Sequence, residues 1–329
     1  MSNNTNITGF CYEIEDDVFD GSVDSITFIS NVTIGLIHLM FTVFFIVAQI
    51  LIFISFYRIS KRKNHNMVFD IMRHHGVVSF FQQLCHFVTS ITIIFYISWQ
   101  PIVLAIIGGI LEAAYLCSVA FMLVLSLNRC DLMYDFKLFP SIPRKKFYLI
   151  ASVLCYVYFC LMIIFFLIPN NRMTLNISSY EWDFVQDECL KSFGFIVDKW
   201  IVYGPLIVSF ILYVLTFSRI VYLRSLRQKA TYFYPEDFKL ILNLVICYVS
   251  IIFMELCWNG SFFNIYKTEF GALVPHFVFI LVSGANTTFT LFTVRDIRIS
   301  VFGTCCSKSI IPASRINNTQ IKIIKVNLY

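Results

Sequence analysis

The chain has 329 residues, 58% of them hydrophobic, 17% aromatic and only 14% charged, with a formal net charge of +5 and a mean hydropathy of +0.75. That balance excludes a water-soluble globule, and the charge is too sparse to predict a nucleic-acid partner. What remains is one polytopic membrane domain, in which 36 Phe and 17 Tyr serve as lipid-facing and interfacial side chains.

Residues 1–27 form an extracellular N-terminal segment with six acids (Glu13, Glu15, Asp16, Asp17, Asp20, Asp24) and no Lys or Arg. Without a basic n-region or a short apolar h-region, no cleavable signal peptide is expected, and the first apolar run does the targeting. Asn3 and Asn6 begin glycosylation sequons, as does Asn176 further on; each has meaning only on an outside segment.

Residues 28–298 read as seven transmembrane helices. The first runs from about Ile29 to Tyr57 and the second from about Met67 to Ile97, with Asp70, Arg73, His74 and His75 expected in the headgroup layer. Pro101 closes a short outer loop. The third helix is the apolar run Ile102 to Leu127, interrupted only by Glu112 and stopped by Asn128-Arg129-Cys130-Asp131. At about 1.5 Å per residue it covers a hydrocarbon core of roughly 30 Å. The fourth helix spans about Phe147 to Ile168, and a long acidic loop with Cys189 follows from Pro169 to Lys199. The fifth spans about Trp200 to Leu223, the sixth Phe238 to Phe263 around Glu255, and the seventh Ala272 to Val294. Residues 299–329 are a cytoplasmic tail, opening with an apolar, amphipathic segment that leads to Cys305 and Cys306, which are candidates for palmitoylation or plain cytosolic thiols.

Lys and Arg favour the cytoplasmic side of short loops. With the N-terminus outside, the inner segments hold 21 of the 25 basic residues and the outer segments 4. The expected architecture is therefore an all-α, seven-transmembrane helix bundle with the N-terminus outside and the C-terminus inside.

Arg129, flanked by Asn128 and Asp131 at the inner end of the third helix, has two readings: a basic residue capping a helix C-terminus, or a switch that holds a polar contact to the sixth helix and releases it to a cytoplasmic partner. Seven helices in this orientation favour the switch. The segment Leu125-Ser126-Leu127-Asn128-Arg129-Cys130-Asp131-Leu132 resembles the Asn-Arg-Cys version of the Asp-Arg-Tyr motif of nematode serpentine chemoreceptors within the rhodopsin-like superfamily, most closely class T. The resemblance covers about residues 28 to 303. It implies a G-protein-coupled receptor in the plasma membrane of a sensory neuron cilium, with an environmental small molecule as ligand, a heterotrimeric G protein as partner, and no enzymatic activity or cofactor.

The chain departs from the pattern of rhodopsin-like receptors in two places. The usual Cys at the outer start of the third helix is missing, which leaves Cys11 as the candidate partner for Cys189 in an oxidising exterior; two free thiols are the other possibility. In the seventh helix Asn286 is followed by Thr287 and Thr288 instead of Pro and Tyr, so Asn286 is left to interhelical hydrogen bonding.

The ligand cavity is expected between the outer halves of the third, fifth, sixth and seventh helices. Glu255, Trp258 and Asn259 share part of one face, and Glu255 is suited to a cation or hydrogen-bond donor, or else to a structural pairing between helices. Glu112 is the second candidate, while His276 reads as interfacial. Arg219, Arg224, Arg227, Lys229 and Lys239 form a basic inner face for a G protein or anionic lipid. Cys85, Cys117, Cys155, Cys160, Cys247 and Cys257 read as small buried hydrophobes. Other classes fit less well. An odorant-gated channel subunit would place the N-terminus inside; a transporter would show repeats and broken helices; an enzyme or metal protein would need a constellation that the six His do not form. The channel and transporter readings stand as the alternatives.

Overall fold

The computed structural model describes residues 29–62, 67–134, 141–177, 180–185, 193–226, 235–258 and 269–302. Seven long helices follow one another: α1 (Asn31–Arg62), α2 (Met67–Phe95), α3 (Pro101–Tyr134), α4 (Arg144–Leu167), α5 (Phe193–Leu226), α6 (Pro235–Trp258) and α7 (Glu269–Thr293). A short α8 (Arg295–Phe302) closes the described chain. Six of them are long and apolar enough to cross a bilayer, and α6 contributes the shorter apolar stretch Val245–Trp258. The exposed faces of α1, α4 and α5 carry Phe44, Val47, Leu154, Leu161, Ile207 and Phe217. That wall of uncovered apolar side chains suits lipid and would be an aggregation surface in water.

Helix ends follow local chemistry. Pro101 opens α3, where its missing N–H costs nothing, and the carbonyl of Gln100 accepts from the amide of Val103 at 2.9 Å. α2 stops where Tyr96 turns left-handed at φ 49°, and the Ile97 amide reaches back to the Thr92 carbonyl at 3.1 Å.

Two ends differ from the sequence expectation. α3 does not stop at Asn128 but continues to Tyr134, because no Gly or Pro breaks it and the polar residues find cover against α4 and α5. α5 starts at Phe193, about two turns before Trp200, because Asp198 and Lys199 are accommodated inside the bundle and do not have to lie in a loop.

α3 is the central strut, packed against α2, α4 and α5, while α6 leans mainly on α7 and α1 on α2 and α7. The core follows it: Leu111, Ala114, Leu116, Phe121 and Met122 are buried together with Phe166 of α4 and Phe279 of α7. Small residues set the closest approaches. At Gly108 a side-chain carbon would stand 2.7 Å from the Met173 carbonyl oxygen and 2.8 Å from the Trp182 ring.

Above that point sits the one sheet among the described residues, an antiparallel hairpin of β1 (Met173–Asn176) and β2 (Glu181–Phe184). Met173 faces Phe184 and Leu175 faces Trp182 across the ladder, and all four are buried against the outer end of the bundle. The alternation expected of a half-buried strand is thus met, with Asn176 turned outward.

Candidate functional site: a carboxyl-lined cavity at the outer end of the bundle

Glu112 and Tyr115 lie one turn apart on α3 and so project to one side of it. Across from them, the first turns of α5 bring in Phe195, Asp198 and Lys199, and the last turns of α6 bring in Met254, Glu255 and Trp258. Phe279 of α7 forms the floor and Phe184 of β2 the roof of a partly open space of about 20 Å³, room for one or two water molecules. The rings interlock edge to face: Tyr115 on Phe279 at 5.5 Å, Trp258 on Phe279 at 5.9 Å, and Phe184 on Phe195 at 6.0 Å.

Three carboxyl groups meet in this space. The Tyr115 hydroxyl donates to Glu255 Oε1 at 2.5 Å, tying α3 to α6. Glu112 and Asp198 lie within hydrogen-bond reach of each other, tying α3 to α5. The Lys199 ammonium rests over the Phe195 ring at 4.1 Å, a cation–π contact at the edge of the cluster. Glu112 and Glu255 are 4% and 6% exposed, so neither charge is solvated by bulk water. Like charges at this range repel unless a proton or a cation stands between them.

Deeper in the bundle a second polar layer joins α2, α3 and α7. His75 Nε2 and Ser118 Oγ are 2.6 Å apart, and Gln83 donates to Ser283. His75 therefore lies inside the bundle, not in the headgroup layer. His276 is also buried, not interfacial: α7 begins at Glu269, which carries residue 276 below the surface, between His38 (ring centroids 4.8 Å apart) and His86 (5.6 Å). Among the described residues no group of three His, Cys, Asp or Glu has the geometry of a metal site.

At the inner end, Asn128, Arg129 and Asp131 are all buried. Asp131 faces α4, where Arg144 stands 3.3 Å from Oδ2 and the Tyr148 hydroxyl donates to the same oxygen at 3.3 Å. Arg129 lies in electrostatic range of Tyr213 on α5, and the Tyr134 hydroxyl donates to the Leu215 carbonyl at 3.0 Å. Arg219 stacks between Tyr134 and Tyr222, at 5.4 and 5.5 Å from their ring centroids.

Of the residues singled out from the sequence, Glu112, Glu255 and Trp258 come together in the outer cavity, and Asn128, Arg129 and Asp131 at the inner end. Asn176 is exposed at the tip of β1. Cys160 is exposed on the lipid face of α4, unlike the other five helical cysteines of the sequence reading. Asn3, Asn6, Cys11, Cys189, Asn259, Cys305 and Cys306, and the side chains of Asn286, Arg224, Arg227, Lys229 and Lys239, lie outside the described residues. Sequence reasoning missed Asp198, Lys199 and Tyr115. The available signal was spacing: Asp198 continues upward the buried stripe Val202, Leu206, Ser209, Tyr213 and Thr216 of α5.

No curated protein matches the chain. The family model for the serpentine type 7TM GPCR chemoreceptor Srx matches residues 39–232, more than half of the chain, including α2 to α4, the hairpin and the motif at Arg129. The match names Srx, so the class T label is not carried forward. With seven helices, an outer cavity and a buried Asn-Arg-Cys-Asp end to α3, the chain belongs to the Srx family of serpentine seven-transmembrane chemoreceptors.

Proposed function

We propose that the protein is a plasma-membrane receptor that takes an extracellular small molecule into the cavity between α3, α5, α6 and α7 and signals to a heterotrimeric G protein at its inner face. The observation that carries this reading is the small, partly open outer cavity of a family-assigned chemoreceptor, with buried polar groups converging on it. In this reading Arg129, Asn128, Asp131 and Asn286 form the inner switch, and the basic end of α5 meets the G protein. Glycans on Asn3, Asn6 or Asn176, lipid on Cys305 and Cys306, and a Cys11–Cys189 bridge belong to the same proposal. Its supports are the 21 to 4 distribution of basic residues, the family membership, and for Asn176 its exposure.

The test is an epitope placed before Ser2 and read in intact cells, with glycosidase treatment of the same sample, followed by a G-protein nucleotide-exchange assay on wild type and Arg129→Ala. Surface staining, a glycosidase-sensitive mass and exchange lost in the variant are the expected results. Staining only after permeabilisation, with agonist-evoked currents instead of exchange, would turn the reading to an odorant-gated channel.

A further inference from the structure

Resting on the receptor reading above, we propose that the ligand is a small primary amine with a compact apolar body, and that its ammonium lodges between Glu112 and Asp198.

The three carboxyl groups of the cavity are not equivalent. Glu255 already accepts the Tyr115 hydroxyl at 2.5 Å, while the Lys199 charge acts on Glu255 and Asp198 alike. Glu112 and Asp198 face each other, and two carboxyl groups can share a hydrogen bond only with a proton held between them. Asp198 is 9% exposed, lines the cavity, and its Oδ1 has no N–H or O–H donor among the described residues. A buried carboxylate oxygen without a donor is costly, and a ligand that brings donors removes that cost.

The surrounding walls indicate which donor. Tyr115, Phe184, Phe195, Trp258 and Phe279 present aromatic rings to the space, and an ammonium ion is attracted to such faces. The protein's own cation demonstrates the fit, since the Lys199 ammonium stacks on Phe195 beside the carboxyl cluster. With one proton shared between Glu112 and Asp198, three acids and one lysine leave one net negative charge in the cavity. An anion is therefore repelled, and a neutral alcohol supplies one donor where an ammonium supplies three and a charge. Met254 and the rings receive the apolar body, and because the space between them is narrow these side chains part to admit it. On binding, the ammonium takes the place of the proton between Glu112 and Asp198, and that proton leaves to water; an amine arriving neutral takes up the same proton in place.

The test uses the purified full chain in detergent and reads the thermal unfolding midpoint with phenethylamine and isoamylamine. 2-Phenylethanol and isoamyl alcohol serve as neutral counterparts, and 3-phenylpropanoate as the acid. The amines raise the midpoint and the alcohols and the acid do not. Asp198→Asn and Glu112→Gln, nearly isosteric, weaken the amine effect by about tenfold to a hundredfold in concentration, the range of one lost charge-assisted hydrogen bond. Lys199→Gln removes the competing cation and strengthens it several-fold, a gain that misfolding does not produce. Equal shifts from the alcohols, an amine shift that survives both carboxyl variants, or no shift from either amine overturns the assignment. Amine binding without G-protein nucleotide exchange would instead overturn the receptor reading and leave the amine site standing.

Discussion

Gly108 is where the hairpin roof rests on α3, and replacing it with alanine tests whether that seat is as tight as the geometry says. The added carbon would stand 2.7 Å from the Met173 carbonyl oxygen and 2.8 Å from Cζ3 of Trp182. Ordinary contact begins at about 3.5 Å, so the hairpin has to lift by roughly 0.8 Å. Neither neighbour yields easily, since one is backbone and the other a fully buried indole. Overpacking of this kind costs about 1–3 kcal/mol. Gly204 on α5 is the internal control, with nothing within 4 Å of its added carbon. There the same substitution changes stability little, because the gain in helix propensity is opposed by Pro205, which disfavours a helical residue with a Cβ before it. At about 2 °C per kcal/mol for a chain of this size, the two variants separate by roughly 2–6 °C in thermal unfolding, with Gly204→Ala the higher. Coincident midpoints would refute the packing argument, and with it the placement of the hairpin as the roof of the cavity.

Three further outcomes follow from named contacts. Tyr115→Phe and Glu255→Gln each weaken the tie between α3 and α6, about 1.5–3 kcal/mol for a hydrogen bond to a charged group. Both should shift the dose-response curve while leaving surface expression intact, and an unchanged curve would remove Glu255 from the ligand site. Arg144→Gln leaves the buried Asp131 with Tyr148 alone; because Arg144 is 35% exposed, the loss is discounted to about 1 kcal/mol, read as a lower unfolding midpoint that adding Asp131→Asn restores. Ser118→Ala strands the ring nitrogen of His75 and costs about 1–3 kcal/mol, whereas His75→Phe with Ser118→Ala recovers part of it. Simple additivity in that double-mutant cycle would mean that the 2.6 Å contact contributes nothing.

The number of helices and their direction were legible in the sequence because both rest on sums. Hydropathy accumulates over about 20 residues and charge over whole loops, so no single neighbour decides the result. Single polar residues were misjudged for the opposite reason. Asn128 to Asp131, His75, His276 and Asp198 were each assigned to a boundary, since a polar group in hydrocarbon is expensive when considered alone. In the fold Asp131 has Arg144 and Tyr148, His75 has Ser118 and Asp198 has Glu112, while His276 packs its ring against His38 and His86 with neither ring nitrogen hydrogen-bonded among the described residues. Whether such a residue ends a helix or continues it depends on the rotation of two or three neighbouring helices, which a local window does not contain. The same gap hid the carboxyl cluster, whose members come from positions 112, 198 and 255 and share no motif.

These misjudged residues fall at three depths of the bundle, and α3 contributes to each. Glu112 and Tyr115 serve the outer cavity, Ser118 the middle layer, and Asn128, Arg129 and Asp131 the inner end. The spacing from Glu112 to Tyr115 to Ser118 is one turn each time, so these three polar residues lie along one side of a rigid rod. α3 is tied to a different neighbour at each depth: to α5 and α6 outside, to α2 in the middle, to α4 inside. A ligand that replaces the proton between Glu112 and Asp198 therefore alters a joint of the same helix that holds Asp131 against Arg144. Transmission along it requires a second discrete arrangement of those ties. The outer tie to α6 includes the short hydrogen bond from Tyr115 to Glu255, and α6 packs mainly on α7. Tyr115 lies one turn from Glu112, so its bond to Glu255 is the contact through which a change at Glu112 would reach α6.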